Sequence, residues 1–115
     1  EHGVMTRAIE YDGVFVGSVG ITPQTGWRAH IAEIGYWIGE PYWGSGIATR
    51  ALKQMSDYAL FQLKYKKLIA HVLAPNKVSM RVLEKSGYKL EGILKDEVLK
   101  DEQYFNIHHY AKYCL

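Results

Sequence analysis

The stretch YWIGEPYWGSGIATRAL, residues 36–52, sets three glycines and a proline between an aromatic-apolar run and a segment with helical spacing. A Gly-rich turn that leads from a strand into a helix exposes backbone N–H groups that have no intrahelical partner, at the positive end of the helix dipole. Such a turn suits phosphate. Gly44 and Gly46 let the backbone approach an anion with no Cβ in the way, and Ser45 and Thr49 add hydroxyl donors. The same glycines equally serve a sharp strand-to-helix turn and nothing more. The spacing lacks the Lys-Ser/Thr pair of a Walker loop and is not the GxGxxG of a dinucleotide fold. One apolar strand later come Asn76 and Ser79, a pair that is also ordinary helix-start chemistry. His108 and His109 are adjacent; in a strand they point to opposite faces, so they make a poor ligand pair and no metal is expected.

These residues need elements to position them. TRAIEYDGVFVGSVGIT holds two β-rich runs split by Asp12-Gly13, which predicts a hairpin over residues 6–21. PQTGWRA reads as a loop, and His30 to Gly39 as a third strand. From Ile47 the period changes: Ala48, Ala51, Leu52, Met55, Ala59 and Leu63 recur at helical spacing, which predicts an amphipathic helix of about four turns. KLIAHVLA is short, apolar and bounded by charge and Pro75-Asn76, as a buried strand is. A second helix runs from Lys77 to Ser86, with Asn76 as N-cap and Gly87 as its stop. Tyr88–Val98 and Tyr104–Tyr113 are two further strands across KDEQ. The order ββ-β-α-β-α-ββ, without repeat or linker, predicts one mixed α/β sheet and a single domain over residues 1–115.

Length and composition agree with that. A chain of 115 residues, 48% hydrophobic, is long enough to bury one core. A formal net charge of +2 with scattered Lys and Arg gives no reason to expect nucleic acid as a partner. The single cysteine, Cys114, excludes an internal disulfide framework and suits a reducing compartment. No apolar run approaches the ~20 residues that span a bilayer and no signal peptide is visible, so no membrane partner is expected and the cytoplasm is the default. Because the chain begins with Glu1, a processed product or fragment is expected.

WGSGIAT and its helix, followed after one buried strand by NKVSMRVLEKSGYKLEG, together resemble the GNAT superfamily of acyl-CoA-dependent N-acyltransferases. In detail they are similar to its RimJ/RimL-like branch of ribosomal-protein N-terminal and polyamine acetyltransferases. The resemblance runs through AEIGYWIGEPYWGSGIATRAL and then Asn76, Ser79, Leu83, Lys85, Gly87 and Tyr88, and covers nearly the whole chain. It implies a mixed, mostly antiparallel sheet with two helices, lacking the strand and two helices with which the family begins. Those helices wall the acceptor side of the cleft, so truncation, or a partner supplying that wall, is expected.

The resemblance also implies roles. Acetyl-CoA is the co-substrate, and its pyrophosphate would lie on the turn Trp43, Gly44, Ser45, Gly46, Ile47, Ala48 and Thr49, where Trp43 replaces the family's usual Gln or Arg. Its pantetheine arm would pair with Tyr36, Trp37 and Ile38, and a bulge in that strand would splay it from LIAHVLA and open the wedge the arm enters. Lys85 would reach the phosphates, as would Arg81, although exposed helix cations usually just face water. Transfer to a primary amine needs a base, because a pKa near 10 leaves under about one per cent of the amine neutral at pH 7. Glu33 matches the family's carboxylate base, or is an ordinary solvated strand glutamate. The backbone N–H of Trp37 or Ile38 would serve the oxyanion. The family's tyrosine acid falls at Leu83, so Ser79 takes that role, with Asn76 holding a water or a pantetheine amide. The acceptor class stays open among protein N-termini, polyamines and other small amines. A non-catalytic acyl-CoA-binding module and a phosphate- or nucleotide-binding α/β protein are the competing readings. YFNIHHYAKY, as the last strand, offers an edge for pairing with a second copy as a homo-oligomer.

Overall fold

A computed structural model of the protein describes residues 3–114. Strands β1 (Met5–Tyr11) and β2 (Val14–Pro23) are joined at Asp12-Gly13, both at positive φ (51° and 77°), the type I′ geometry whose twist matches that of the strands. Then follow β3 (Ile31–Ile38), α1 (Ile47–Asp57), β4 (Lys67–Leu73), α2 (Lys77–Lys85), β5 (Lys89–Lys100) and β6 (Gln103–Tyr113). The six strands form one sheet in the order β1-β2-β3-β4-β6-β5. Among the described residues only β3 and β4 pair in parallel. This is the expected mixed, mostly antiparallel sheet with two helices.

Both helices lie on one face of the sheet. Leu52 and Met55 of α1 and Met80 and Leu83 of α2 share one buried cluster with Val19, Ile21, Ile34, Ile38, Leu68, Val72 and Tyr110 from the strands. Strand alternation turns Glu33, Gly35 and Trp37 to the other face, where a small cluster of Ile31, Ile69 and Ala111 is buried. Among the described residues no helix is long and apolar enough to cross a membrane.

The structure corrects two expectations. The last strand is not an edge: β6 lies between β4 and β5, because Ile107, Tyr110 and Ala111 bury on both of its faces. The edge is β5, whose KLEGILKDEVLK is charge-rich and interrupted by register shifts between Leu90 and Gly92 and between Leu94 and Val98, devices that blunt an edge. The helix from Ile47 is also not uniform. After Asp57 it widens into a π turn over Tyr58–Gln62, which lets the neighbours Ala59 and Leu60 both bury before Lys64, at φ 67°, ends it.

The link from helix to sheet includes a buried polar pair. Ser56 Oγ and Tyr88 OH stand 2.7 Å apart, at 0% and 2% exposure. Burial pushes the Tyr88 phenol far above its ordinary value, the Asp57 charge adds to this and the Ser56 bond opposes it. Ser56→Ala should therefore cost about 1–3 kcal/mol by leaving a buried hydroxyl without its partner, and adding Tyr88→Phe should recover part of the loss in urea unfolding. The phenol also predicts an alkaline limit. The unfolded chain releases this proton near pH 10 while the folded chain keeps it, so the stability it supports is full below about pH 10 and is lost as pH rises through the raised folded value. Urea midpoints of Tyr88→Phe should fall less steeply than those of the parent above about pH 10.

Candidate active site

The sheet opens between β3 and β4. They pair only over Ile31–Glu33 with Lys67–Ile69, after which β3 stays with β2 as far as Ile38 and β4 stays with β6 as far as Leu73. The expected bulge is absent, since β2 and β3 hold an unbroken register from Pro23↔Ala32 to Gly17↔Ile38. The parting arises because each strand follows its outer antiparallel neighbour. On its gap side β3 therefore meets no strand beyond Glu33 among the described residues.

Alternation decides which backbone groups face this gap. Gly39 N–H bonds to Val16 O, and a Cβ on Gly17 would lie 2.0 Å from Trp37 O, so Trp37 turns its peptide groups towards β2. Ile38 and Tyr36 turn theirs to the gap. The Ile38 carbonyl there accepts from Trp43 Nε1 at 2.7 Å. Of the two N–H groups expected to serve an oxyanion, only Ile38's faces the gap.

At the end of β3 a single 3-10 turn, Glu40–Tyr42, delivers the chain to α1. Gly44 (φ 77°) and Gly46 (φ 83°) are both left-handed, a conformation any Cβ would strain. Gly46 is the N-cap of α1; no side chain caps the helix and its first turn holds no acidic residue. The first N–H groups of α1 thus keep their capacity for an anion. Ser45 Oγ donates to Tyr42 O at 2.5 Å, so its hydroxyl proton is committed to the loop and its backbone N–H is what an anion would meet. Trp43 ties the same loop to β3 through its Nε1 bond to the Ile38 carbonyl. Ile47 is buried beneath the turn and Ala48 packs against the core. At the far end of α2, Ser86 Oγ lies 3.5 Å from Thr49 O, which brings exposed Lys85 into the neighbourhood of the turn.

Polar side chains bracket the gap on both faces. On the helix side Tyr36 OH and Ser79 Oγ are 3.1 Å apart, joining β3 to α2. Asn76 Oδ1 accepts from Ser79 N at 3.1 Å, so Asn76 caps α2. Leu83 is a core residue at 2% exposure, and the phenol that reaches Ser79 comes from Tyr36. On the open side Glu33 Oε2 meets His71 Nδ1 at 3.1 Å. Beside it lies a trough of about 280 Å³ lined by Thr6, Ser18, Gly20, Thr22, Glu33, Gly35 and Trp37 among others. Its floor is shallow because small residues face outward there.

Sequence reasoning did not single out the phenol of Tyr36, nor His71 and Glu91. His71 had a signal: it is the one polar residue inside the apolar run LIAHVLA. Glu91 had none, because it is the extra residue of the register shift between Leu90 and Gly92, which a one-dimensional pattern does not reveal.

The family model for the acetyltransferase (GNAT) domain matches residues 1–89. A probable N-acetyltransferase of Bacillus subtilis, YjcK, is 37% identical over 84% of this chain and 51% of its own length. The ribosomal-protein-serine acetyltransferase of Escherichia coli is 30% identical over 70% of this chain and 45% of its own. Among solved structures, Mycobacterium smegmatis RimJ in complex with CoA-disulfide superposes with a TM-score of 0.87 at 32% identity, covering 96% of this chain and 53% of that one. The chain thus spans about half the length of the curated relatives it matches.

Gly46 offers a clean probe of the turn, since an added Cβ meets nothing within 4 Å in the free protein and only the left-handed φ resists it. Gly46→Ala should cost about 1–2 kcal/mol of stability. It should weaken CoA binding in calorimetry by about tenfold or more, because the Cβ lies beside the N–H groups that an anion would use. Unchanged affinity in the folded variant would move the phosphate site elsewhere.

Proposed function

Since the chain belongs to the GNAT acetyltransferase family, we propose that it is the acyl-transfer part of an N-acetyltransferase that moves an acetyl group from acetyl-CoA directly to a primary amine. The observation that carries this is the convergence on one gap of an uncapped helix N-terminus, an unpaired strand side and a carboxylate. The two left-handed glycines and the N–H groups of α1 fit a pyrophosphate, and the free side of β3 fits an extended amide-bearing arm. When bound, acetyl-CoA supplies an activated thioester carbonyl. The chain's residues do the rest. Ile38 N–H donates to the carbonyl oxygen as it gains charge. Glu33, at the last paired position of β3, takes the amine proton directly or through a water. Tyr36 OH, oriented by Ser79, returns a proton to the departing sulfur. Ser79 thus positions the acid, and Asn76 holds the helix start that carries Ser79.

For the acceptor we favour the N-terminal amine of a polypeptide over a polyamine. Support comes from the E. coli relative, a ribosomal-protein-serine acetyltransferase, and from the trough beside Glu33, open and lined by neutral residues apart from that carboxylate. A polyamine would leave its second ammonium without a carboxylate there.

Calorimetry with acetyl-CoA, followed by turnover assays with serine- and alanine-initiated peptides, spermidine and an aminoglycoside, tests this reading. Glu33→Gln should leave acetyl-CoA affinity within about twofold and lower the acceptor-dependent rate by roughly 10²-fold. The deficit should shrink as pH approaches the amine's own pKa, where more acceptor is already neutral. Tyr36→Phe should lower the rate by roughly 10²-fold as well, and most with poor leaving thiols. Tight acetyl-CoA binding with no turnover of any amine would reduce the chain to a binding module, and ATP binding as tight as CoA would overturn both readings.

A further inference from the structure

Four side chains from four strands form a continuous row on the open face of the sheet. Glu33 Oε2 on β3 faces His71 Nδ1 on β4 at 3.1 Å, His71 Nε2 faces His109 Nδ1 on β6 at 2.8 Å, and His109 Nε2 faces Glu91 Oε1 on β5 at 3.0 Å. Glu91 is anchored in turn by Lys67 Nζ at 2.8 Å and by Tyr113 OH. These are the charged and titratable groups that contact the two rings and Glu91; both helices pack on the opposite face.

Counting protons gives the row a direction. Three contacts join two carboxylates and two imidazoles, and each contact needs one proton to be a hydrogen bond. Two neutral imidazoles supply two, so with both carboxylates ionised one contact is empty. The Lys67 and Tyr113 bonds hold Glu91 ionised and below its ordinary pKa, so Glu91 is a fixed acceptor. The His109 side chain is 19% exposed, whereas Glu33 is 41% exposed. Two facing lone pairs are better tolerated where water reaches them, so the empty contact falls between Glu33 and His71. Each ring's tautomer then follows from its neighbour. His109 donates Nε2–H to Glu91 and accepts at Nδ1, while His71 donates Nε2–H to His109 and presents an unprotonated Nδ1 to Glu33.

We propose that Glu91, His109 and His71 form a tautomer-fixing relay behind Glu33, through which the proton taken from the acceptor amine ends on His71 Nδ1. The inference rests on the acetyltransferase reading above. An N–H bond of the ammonium breaks, Glu33 carries the proton, and an N–H bond forms at His71, which becomes an imidazolium that fills the empty contact. No electrons are transferred, and Glu33 is again a carboxylate. His71, 31% exposed on its side chain, then releases the proton to water. Burial, and then the His71 charge, hold His109 below its ordinary pKa, so the added proton stays on His71. His71 is thus the proton acceptor, and His109 and Glu91 are positioning residues.

The tautomers are read directly by long-range proton–nitrogen NMR of the histidine rings in the parent protein at about pH 8, where imidazoles are mostly neutral. Nε2–H forms of both His71 and His109 are expected; an Nδ1–H form of His71 overturns the relay whatever the activity. Kinetics with acetyl-CoA and the best amine of the acceptor panel compare the pH–rate profile of the parent with those of the variants. His71→Gln should lower kcat by about 10- to 100-fold with the KM for acetyl-CoA unchanged, and should change the shape of the pH–rate profile. Glu91→Ala should lower kcat and populate the other His109 tautomer, while Glu91→Gln, which keeps an acceptor oxygen, should rescue both. A parent that turns over with variants of equal rate and pH profile overturns the relay and leaves the acetyltransferase reading standing. A parent that binds no acetyl-CoA overturns that reading and the relay's catalytic role with it, and the NMR then reports only whether the row is built as described.

Discussion

The parting of β3 from β4 after Glu33 is the constraint on which the remaining features depend. A parallel pair that stayed together would bury the inner sides of both strands and leave no place for an extended ligand. The parting needs no special residue in β3. It follows from β2 and β6, which keep their antiparallel ladders intact and draw the inner strands apart. Each polar group of the site is then defined by its place on the rim. Glu33 and His71 face each other across it on the open side, Tyr36 and Ser79 across it on the helix side, and the turn before α1 closes one end.

The same region gives up local stability. An acidic residue in the first turn would stabilise α1 by about 0.3–1 kcal/mol and engage its free N–H groups, and a side-chain cap would occupy them too. The sequence offers neither, and Arg50 adds a positive charge near that end instead. By contrast α2 is capped by the side chain of Asn76. The difference between the two helix starts is what an anion site at α1 requires.

Much of this was legible in the sequence, and for definite reasons. Asp12-Gly13, the helical period from Ile47, and the Asn76 and Gly87 stops are local signals, and the structure places each within a residue or two of its expected boundary. Glu33 and the glycine turn stood out because a motif of fixed spacing carries them. What stayed hidden depends on strand order and register. β6 looked like an edge because it comes last, yet its burial on both faces puts it inside the sheet. The Tyr36–Ser79 and His71–His109 contacts join residues 43 and 38 positions apart, and no periodicity reports such a distance. Glu91 reaches His109 only through a one-residue slip.

The loop between β3 and α1 is tied down before any ligand arrives. Trp43 Nε1 holds the Ile38 carbonyl, Ser45 Oγ holds the Tyr42 carbonyl, and Gly44 and Gly46 already sit in the left-handed region. An anion that docks there orders nothing further, so little of the binding free energy is lost to fixing the chain. Preorganisation of this kind places the entropic cost in folding rather than in recognition. It makes arrival of the ligand, not rearrangement of the loop, the event that sets the association rate.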